Sequence, residues 1–292
     1  LLNRSSDLEI RFVFTTNLSM PAANFLTERY NLTYLDLSNG LPHNHVNDIF
    51  KDSSGFLWIS TYGGGLVRYD GYGVMEPRLD LNSKSCRSIA EDDFHRLWVA
   101  FDEGINIIDL KTMRAVVPDH PGLRELLTFP SMKCYRDAMG RIWVVNDRQV
   151  SLITFDAQGQ PDHIYNYPHP WRMLDIAICD VDGNGKPWIG IDGGLYRLVE
   201  KAEAGAGGNI RIVEALQEHY ITDILKRNNV VWITTNQGLF RYDPYLQKLA
   251  ENHHSTAPGS LSHVFLSSLA VMSDTRLLVG SLCGVNIYDD QT

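Results

Sequence analysis

The sequence of 292 residues predicts an all-β fold, a β-propeller of four-stranded blades, on three observations. The first is a spaced aromatic. Trp58, Trp98, Trp143, Trp188 and Trp232 each sit in a short apolar run, and a sixth run, Leu277-Leu278-Val279, has leucine at that place. The intervals are 40, 45, 45, 44 and 46 residues. A repeat of about 40–50 residues that contains several short strands is the mark of propeller blades. The second is a Gly or polar turn after each run that leads into another apolar strand. Gly65-Leu66-Val67-Arg68-Tyr69-Asp70, Gly104 to Asp109, Gly194 to Leu198, Gly238 to Asp243 and Gly284 to Asp289 are such strands, with a looser copy at Gln149 to Ile153. The third is the near absence of helix. Only Gly122 to Leu127 and Val213 to Glu218 have suitable composition, and both are short.

Taken in order, residues 1–30 carry no blade pattern and are predicted to be a leader or irregular segment, with Ile10 to Thr15 the one strand-like run. Leu32 to Leu37 is predicted to be a strand that closes the propeller by pairing with the last blade, because an open edge leaves a row of unpaired amides. Asn39 to Gly71 is the clearest copy of the repeat. In it Val46 to Phe50, Phe56 to Ser60 and Leu66 to Tyr69 are strands, separated by the turn Asp52-Ser53-Ser54-Gly55 and by Gly63-Gly64-Gly65. The blades run over roughly 46–79, 86–117, 131–165, 174–214, 220–251 and 264–289. Their Trp-bearing strands are apolar without clean alternation, as suits sheets covered on both faces. The stretch 202–208 reads as a flexible insertion between outer strands of the fourth blade. The last copy stops at Asp289 without a fourth strand, so residues 31–292 are expected to be a propeller cut from a longer parent.

Bulk properties narrow the partners. A net charge of −9 argues against a broad electrostatic grip on nucleic acid or anionic lipid. No apolar run approaches the roughly 18 residues of a membrane span, so membrane attachment is expected only through a helix downstream. The first residues lack the basic-then-apolar order of a signal peptide. The 4 cysteines form no Cys-x-x-Cys pair. Cys134 and Cys179 fall in the first strands of consecutive blades, where buried thiols are favoured over a disulfide or a metal site.

The segment GLPHNHVNDIFKDSSGFLWISTYGGGLVRYDG resembles the repeat of two-component regulator propellers. That repeat pairs a Gly-Leu-x-x-Asn-x-Val opening with Asp-x-x-Gly-x-Leu-Trp-Ile-x-Thr and Gly-Leu-x-x-Tyr-Asp, and Gly40, Leu41, Asn44, Val46, Asp52, Gly55, Leu57, Trp58, Ile59, Thr61, Gly65, Leu66, Tyr69 and Asp70 fit it. The resemblance spans about 39–292 and is strongest in the first and fifth copies. It implies the periplasmic sensor half of a hybrid histidine kinase of Bacteroides-type bacteria, commonly one that responds to glycan fragments. It also implies seven blades, where six are visible here, and a homodimer formed through the parent protein.

Groupings that could carry chemistry fall short one by one. Asp180 to Gly185 resembles half of an EF-hand loop, but the twelfth position, which needs a bidentate Glu, is Ile191. Asp52-x-x-Gly-x-x-Trp58 and Asp137-x-x-Gly-x-x-Trp143 are near the Asp-box of sialidases, which has Gly two residues after Asp and works beside an arginine cluster and a Tyr nucleophile. His43 and His45 lack a third metal ligand in spacing, and His253-His254 lies in a polar loop. No nucleophile elbow or phosphate loop is present. No catalytic residue, metal or cofactor is therefore expected.

The remaining ground is one face of the disc, where loops from second to third strands and between blades emerge together. Those loops hold His43, His45, Tyr62, Asp102, Asp147, Arg148, Trp171, Arg172, Asn236, Gln237 and His263. Trp171 is off the repeat position, beside Arg172. Trp171, Arg172, Arg148, Tyr62 and His45 are the predicted ligand site, with an aromatic stacking on a sugar ring and polar groups meeting its hydroxyls. A propeller enzyme acting on glycans, lyase or glycosidase, is the alternative.

Overall fold

The computed structural model describes residues 35–81, 83–169, 177–179, 187–191, 194–199, 209–212, 216, 219–250 and 260–289. These form six antiparallel sheets in series, in each of which neighbours in space are neighbours in sequence. Blade 1 is β1 (Val46–Lys51), β2 (Leu57–Thr61), β3 (Gly65–Tyr69) and β4 (Val74–Met75). Blade 2 is β5 (Cys86–Glu91), β6 (Arg96–Phe101), β7 (Gly104–Asp109) and β8 (Arg114–Val116). After a short helix α1 (Pro121–Leu126), blade 3 is β9 (Ser131–Arg136), β10 (Ile142–Asn146), β11 (Gln149–Phe155) and β12 (Pro161–Pro168). Blade 4 is β13 (Ala177–Cys179), β14 (Trp188–Ile191), β15 (Gly194–Val199) and β16 (Asn209–Ile212). Blade 5 is β17 (Ile221–Arg227), β18 (Val230–Thr235), β19 (Gly238–Asp243) and β20 (Lys248–Ala250). Blade 6 has three described strands, β21 (Leu266–Val271), β22 (Arg276–Ser281) and β23 (Gly284–Asp289). The fold is the β-propeller that the repeat predicts. The chain divides into two compact units. One, Leu35–Leu174 with Glu200–Ile210, carries blades 1 to 3; the other, with Asp175–Val199 and Arg211–Thr292, carries most of blade 4 with blades 5 and 6.

The blades take this form because one aspartate organises the turn between the first two strands. In blade 1, Asp52 Oδ1 accepts the amides of Ser54 and Phe56, and Oδ2 accepts the indole N–H of Trp58 at 2.8 Å. Asp92 does the same for Phe94, Arg96 and Trp98, and Asp137 for Met139, Arg141 and Trp143. The fourth turn residue has positive φ: Gly55 at 95°, His95 at 60° and Gly140 at 77°. Glycine adopts that backbone freely. His95 does so where its ring meets Ser53 of the neighbouring turn and Glu91 of its own hairpin, described below.

Of the five tryptophans, Trp58, Trp98, Trp188 and Trp232 are wedges between blades. All five are 0–2% exposed. Trp58 packs with Cys86, Ile89, Leu97, Val99 and Ile108 of blade 2, and Trp98 with Cys134, Ile142, Val144 and Ile153 of blade 3. In the other unit Trp188 packs with Ile221, Ile224 and Ile233 of blade 5, and Trp232 with Leu266, Leu277 and Val279 of blade 6. The outer end of the next blade's third strand supplies an aromatic cap: Phe155 to Trp98, Tyr242 to Trp188 and Tyr288 to Trp232, at ring distances of 6.0, 5.5 and 5.4 Å. Arg68, Arg197 and Arg241, cross-strand partners of Trp58, Trp188 and Trp232, lay their guanidinium groups 5.9, 5.5 and 5.8 Å from the indole centres.

Polar bonds lock successive first strands together. The amide of Ile89 donates to Asp48 Oδ2, that of Cys134 to Ser88 Oγ, and that of Leu269 to Asp223 Oδ2. Gly190 marks how close this packing is: a Cβ there would lie 2.2 Å from Ile221 Cγ2. The thiols of Cys86 and Cys134 are buried, which pushes both up, that of Cys134 to about 12. Cys283 is exposed.

One expectation fails at its described end. Leu32 to Leu37 was expected as a closing strand, but Leu37–Asn39 is a 3-10 turn. Asp36 caps it by accepting the Ser38 amide, the Asn39 side chain accepts the Asp36 amide, and Gly40 ends it at φ 106°. Residues 1–34 and 202–208, the calcium-like loop Asp180 to Gly185 and His253-His254 lie outside the described residues, as does all of the expected helix Val213 to Glu218 except Leu216.

Trp98→Ala removes a fully buried wedge and should cost about 3–5 kcal/mol. Asp137→Ala strands the buried Trp143 N–H and two turn amides, and should cost at least about 2 kcal/mol. Chemical denaturation of both variants measures this. A loss under about 1 kcal/mol for Asp137→Ala would show that the turn stands without its carboxylate.

Candidate ligand-binding site

At the end of the sheets opposite the Asp turns, a second repeated bond builds the surface. The residue after the second strand donates its amide to the carbonyl of the residue before the first. Tyr62 bonds to His45 at 3.0 Å and Asp102 to Ser85 at 3.3 Å; in the other unit Asn236 bonds to Tyr220 and Leu282 to Phe265. A register shift in the first strand accompanies it, between Val46 and Asp48 and between Cys86 and Ser88. The extra residues, Asn47 and Arg87, are displaced from the ladder, and such bulges re-aim side chains.

Blades 1 and 2 thereby gather five side chains. Tyr62 is 48% exposed. His45 lies 5.6 Å and His43 6.4 Å from it, ring to ring. The Arg87 guanidinium carbon sits 5.7 Å from the Tyr62 ring centre, and Arg87 Nε donates to Asp102 Oδ1 at 2.6 Å. The backbone holds this arrangement. Gly63 and Gly65 donate to the Lys84 carbonyl, and Tyr62 forms a β-bridge with Ser85. Gly64 has no room for a side chain, since a Cβ would lie 2.6 Å from Thr61 Oγ1 and 2.9 Å from Pro42 Cγ. His43 Nδ1 accepts the His45 amide at 3.0 Å, so the neutral ring carries its proton on Nε2. Burial pulls the Asp102 carboxyl upward, but the hydrogen bonds of Arg87 and Ser85, together with the charge of Arg87, outweigh it and hold the group below the usual carboxylate range.

Of the predicted residues, the structure brings His45 and Tyr62 together. Arg148 lies in the β10–β11 turn, 4.7 Å over the Phe129 ring and 3.9 Å from Asp147. Trp171 and Arg172 lie outside the described residues. Arg87 was missed, because nothing in its local sequence marks it; the clue is the bulge, which only strand pairing reveals. Asp102 was noted among the loops but not assigned to the site.

The chemistry on offer is recognition: a half-exposed aromatic face, an imidazole N–H, and a guanidinium–carboxylate pair. Among the described residues no three His, Cys, Asp or Glu side chains converge as a metal site. A Ser-His-Glu grouping occurs at the turn end, where Ser53 Oγ donates to Glu91 Oε1 at 2.6 Å and lies 2.9 Å from His95 Nδ1. The same imidazole nitrogen is 3.2 Å from Glu91. A relay needs serine and carboxylate on opposite ring nitrogens, so this grouping ties two turns together instead.

Beside Arg148, His169 closes blade 3: its Nε2 lies 3.0 Å from the Asn146 carbonyl oxygen, and its amide donates to the Arg148 carbonyl. Burial holds this imidazole below its ordinary value, against the opposing pull of the Asn146 carbonyl. The unfolded chain therefore takes up this proton first as pH falls, and stability drops below about pH 6.5. Thermal melts between pH 7.5 and 5.5 should show a fall in Tm that His169→Gln reduces; an identical slope in the variant would exclude His169 as the titrating group.

Residues 40–63, which hold His43, His45 and Tyr62, match the family model described as two component regulator propeller. No curated protein matches the sequence. Solved structures do. The extracellular domain assigned to the hybrid two component system BT4673 of B. thetaiotaomicron is 16% identical at TM-score 0.59, over 87% of this chain and 38% of that one. The corresponding domain of BT3049 from the same organism is 19% identical at TM-score 0.53, over 88% and 41%. Virginiamycin B lyase of Staphylococcus aureus is 14% identical at TM-score 0.58, over 88% of both chains. This chain thus spans about two fifths of the length of those extracellular domains and nearly all of the lyase, and at such identities the likeness is one of fold: a propeller whose first repeat matches the two component regulator model.

Proposed function

We propose that this chain is a non-catalytic, extracytoplasmic sensing propeller of a two-component signalling protein, periplasmic in placement, and that it responds to a glycan fragment. The observation that carries the reading is the half-exposed Tyr62 beside the Arg87–Asp102 pair, inside and next to the stretch that matches the regulator repeat. The two extracellular two-component domains of like fold support the placement. Among the described residues no helix is long and apolar enough to cross a membrane. A sugar's C–H face stacks on an aromatic ring while its hydroxyls take up charged hydrogen bonds. Trp171 and Arg172 are proposed on sequence grounds as further contacts. The ligand would act by differential affinity, favouring one arrangement of paired sensor domains in the parent and biasing a distant kinase.

The second reading, a glycan-cleaving propeller, is favoured by the lyase of like fold. Against it, the carboxylate in the cluster, Asp102, is held ionised by Arg87 and so is a poor proton donor.

Tyr62→Ala should weaken oligosaccharide binding about tenfold, or about 1.4 kcal/mol, with little change in Tm. Titration calorimetry with defined oligosaccharides measures the first and thermal melts the second. New reducing ends or unsaturated products in the same mixtures would replace the sensor reading with the enzyme one.

A further inference from the structure

We infer that the Tyr62 cluster selects a neutral sugar bearing adjacent hydroxyls and discriminates against acidic sugars, and that Asp102 sets this preference. The inference rests on the glycan reading above and adds the charge class of the ligand.

An arginine beside an exposed aromatic ring would by itself suit a carboxylate or sulfate. Here the arginine is already committed. Its Nε donates to Asp102 Oδ1 at 2.6 Å, and the two side chains are 28% and 36% exposed. The pair is thus partly withdrawn from water, where opposite charges are felt more strongly. Asp102 is ionised at neutral pH, the more so because Arg87 and Ser85 hold it below the usual carboxylate range. The pair carries no net charge, so an anion approaching the guanidinium meets the Asp102 carboxylate at nearly the same distance. The attraction and repulsion largely cancel, and the anion still gives up its hydration.

The same pair suits two neighbouring hydroxyls. One accepts from a terminal guanidinium N–H, and the other donates to the second carboxylate oxygen. Nε and Oδ1 are paired, and the carboxylate, which Ser85 also helps to hold, keeps lone pairs for a hydroxyl beside the terminal guanidinium N–H groups. Arg87 reaches this position only because it is the bulged residue of β5. The Tyr62 face receives the ring, and His43, its Nδ1 occupied by the His45 amide, offers a third group as an N–H donor from Nε2. Among the described residues, Arg87 is the cation that comes into contact with the Tyr62 ring.

The test is calorimetry of the whole chain at pH 7 and 0.15 M salt with cellotetraose, xylotetraose and arabinotetraose on one side and tetragalacturonate on the other. The expected result is that at least one neutral tetrasaccharide binds about tenfold more tightly than the acidic one. Asp102→Asn keeps an acceptor for Arg87 but removes the charge. It should weaken the neutral ligand, tighten tetragalacturonate several-fold, and make the acidic binding weaken with added salt. A wild-type preference for tetragalacturonate would overturn the charge assignment while leaving the glycan reading in place, and this arm needs no variant to fold. An unchanged neutral-to-acid ratio in a folded Asp102→Asn protein would also overturn it. Binding of none of the four would overturn the glycan reading, and this inference with it.

Discussion

The structure depends on a carboxylate that accepts an indole N–H. Asp52, Asp92 and Asp137 each bind two turn amides through one oxygen and the tryptophan six residues on through the other. A tryptophan wedged between sheets gains the burial of a large aromatic surface but carries a polar hydrogen that must be satisfied there. The aspartate satisfies it from within the same hairpin. Turn shape, strand register and the wedge between blades are thereby specified in a single short segment. Asp92 and Asp137 also accept from Arg96 and Arg141 at 2.7 Å. Arg96 Nη1 goes on to donate to the Gly159 carbonyl of blade 3, which extends the hairpin's polar network to its neighbour.

Blade 5 shows that the wedge can be kept without this device. Its first turn is short, with Asn228 at φ 56° between β17 and β18, and no aspartate stands in it. Trp232 is nonetheless 1% exposed, sandwiched between Tyr288 of blade 6 and Arg241 of its own sheet. Burial between blades is therefore the constant, and the turn carboxylate is one way of making it compatible with the indole N–H. The bonds from Asp48, Ser88 and Asp223 to the next blade's amide then hold the first strands in step.

Most of the architecture was legible because its signals are local and repeat. The tryptophan spacing, the Asp turns and the Gly-led third strands each sit within a few residues of the structure they specify, and the helix over Gly122 to Leu127 was placed within a residue at each end. Leu32 to Leu37 was misread at its described end because the need to close an open sheet edge was weighed above capping chemistry. Asp36 and Asn39 form a capping box with Gly40 behind it, a pattern visible in the sequence. The site was legible only in outline. Tyr62 and His45 were chosen from loop position, but their meeting depends on an amide–carbonyl bond across two strands. Arg87 sits in a strand and was passed over, since a bulge leaves no mark in one copy of a repeat. Arg148 was grouped with Tyr62 by loop equivalence alone, and in the structure it lies over Phe129.

The repeat itself separates what holds the blades from what varies between them. At the turn end, equivalent positions are filled alike: Asp52, Asp92 and Asp137, then Trp58, Trp98 and Trp143. At the loop end, the position after the second strand is Tyr62, Asp102, Asn236 or Leu282, all making the same backbone bond. Because that bond uses only main-chain atoms, the side chain at this position can vary without losing it. The cluster on blades 1 and 2 uses this freedom across a blade boundary, with the aromatic from one sheet and the ion pair from the next. A molecule lying on Tyr62 and bonded to Arg87 and Asp102 touches both blades at once, at a junction already tied by Asp48 to Ile89 and by Lys84 to Gly63 and Gly65. Under the proposed sensing role, its binding energy would be shared with an inter-blade contact, so that occupancy would favour the arrangement of blades 1 and 2 that keeps both sets of groups in reach.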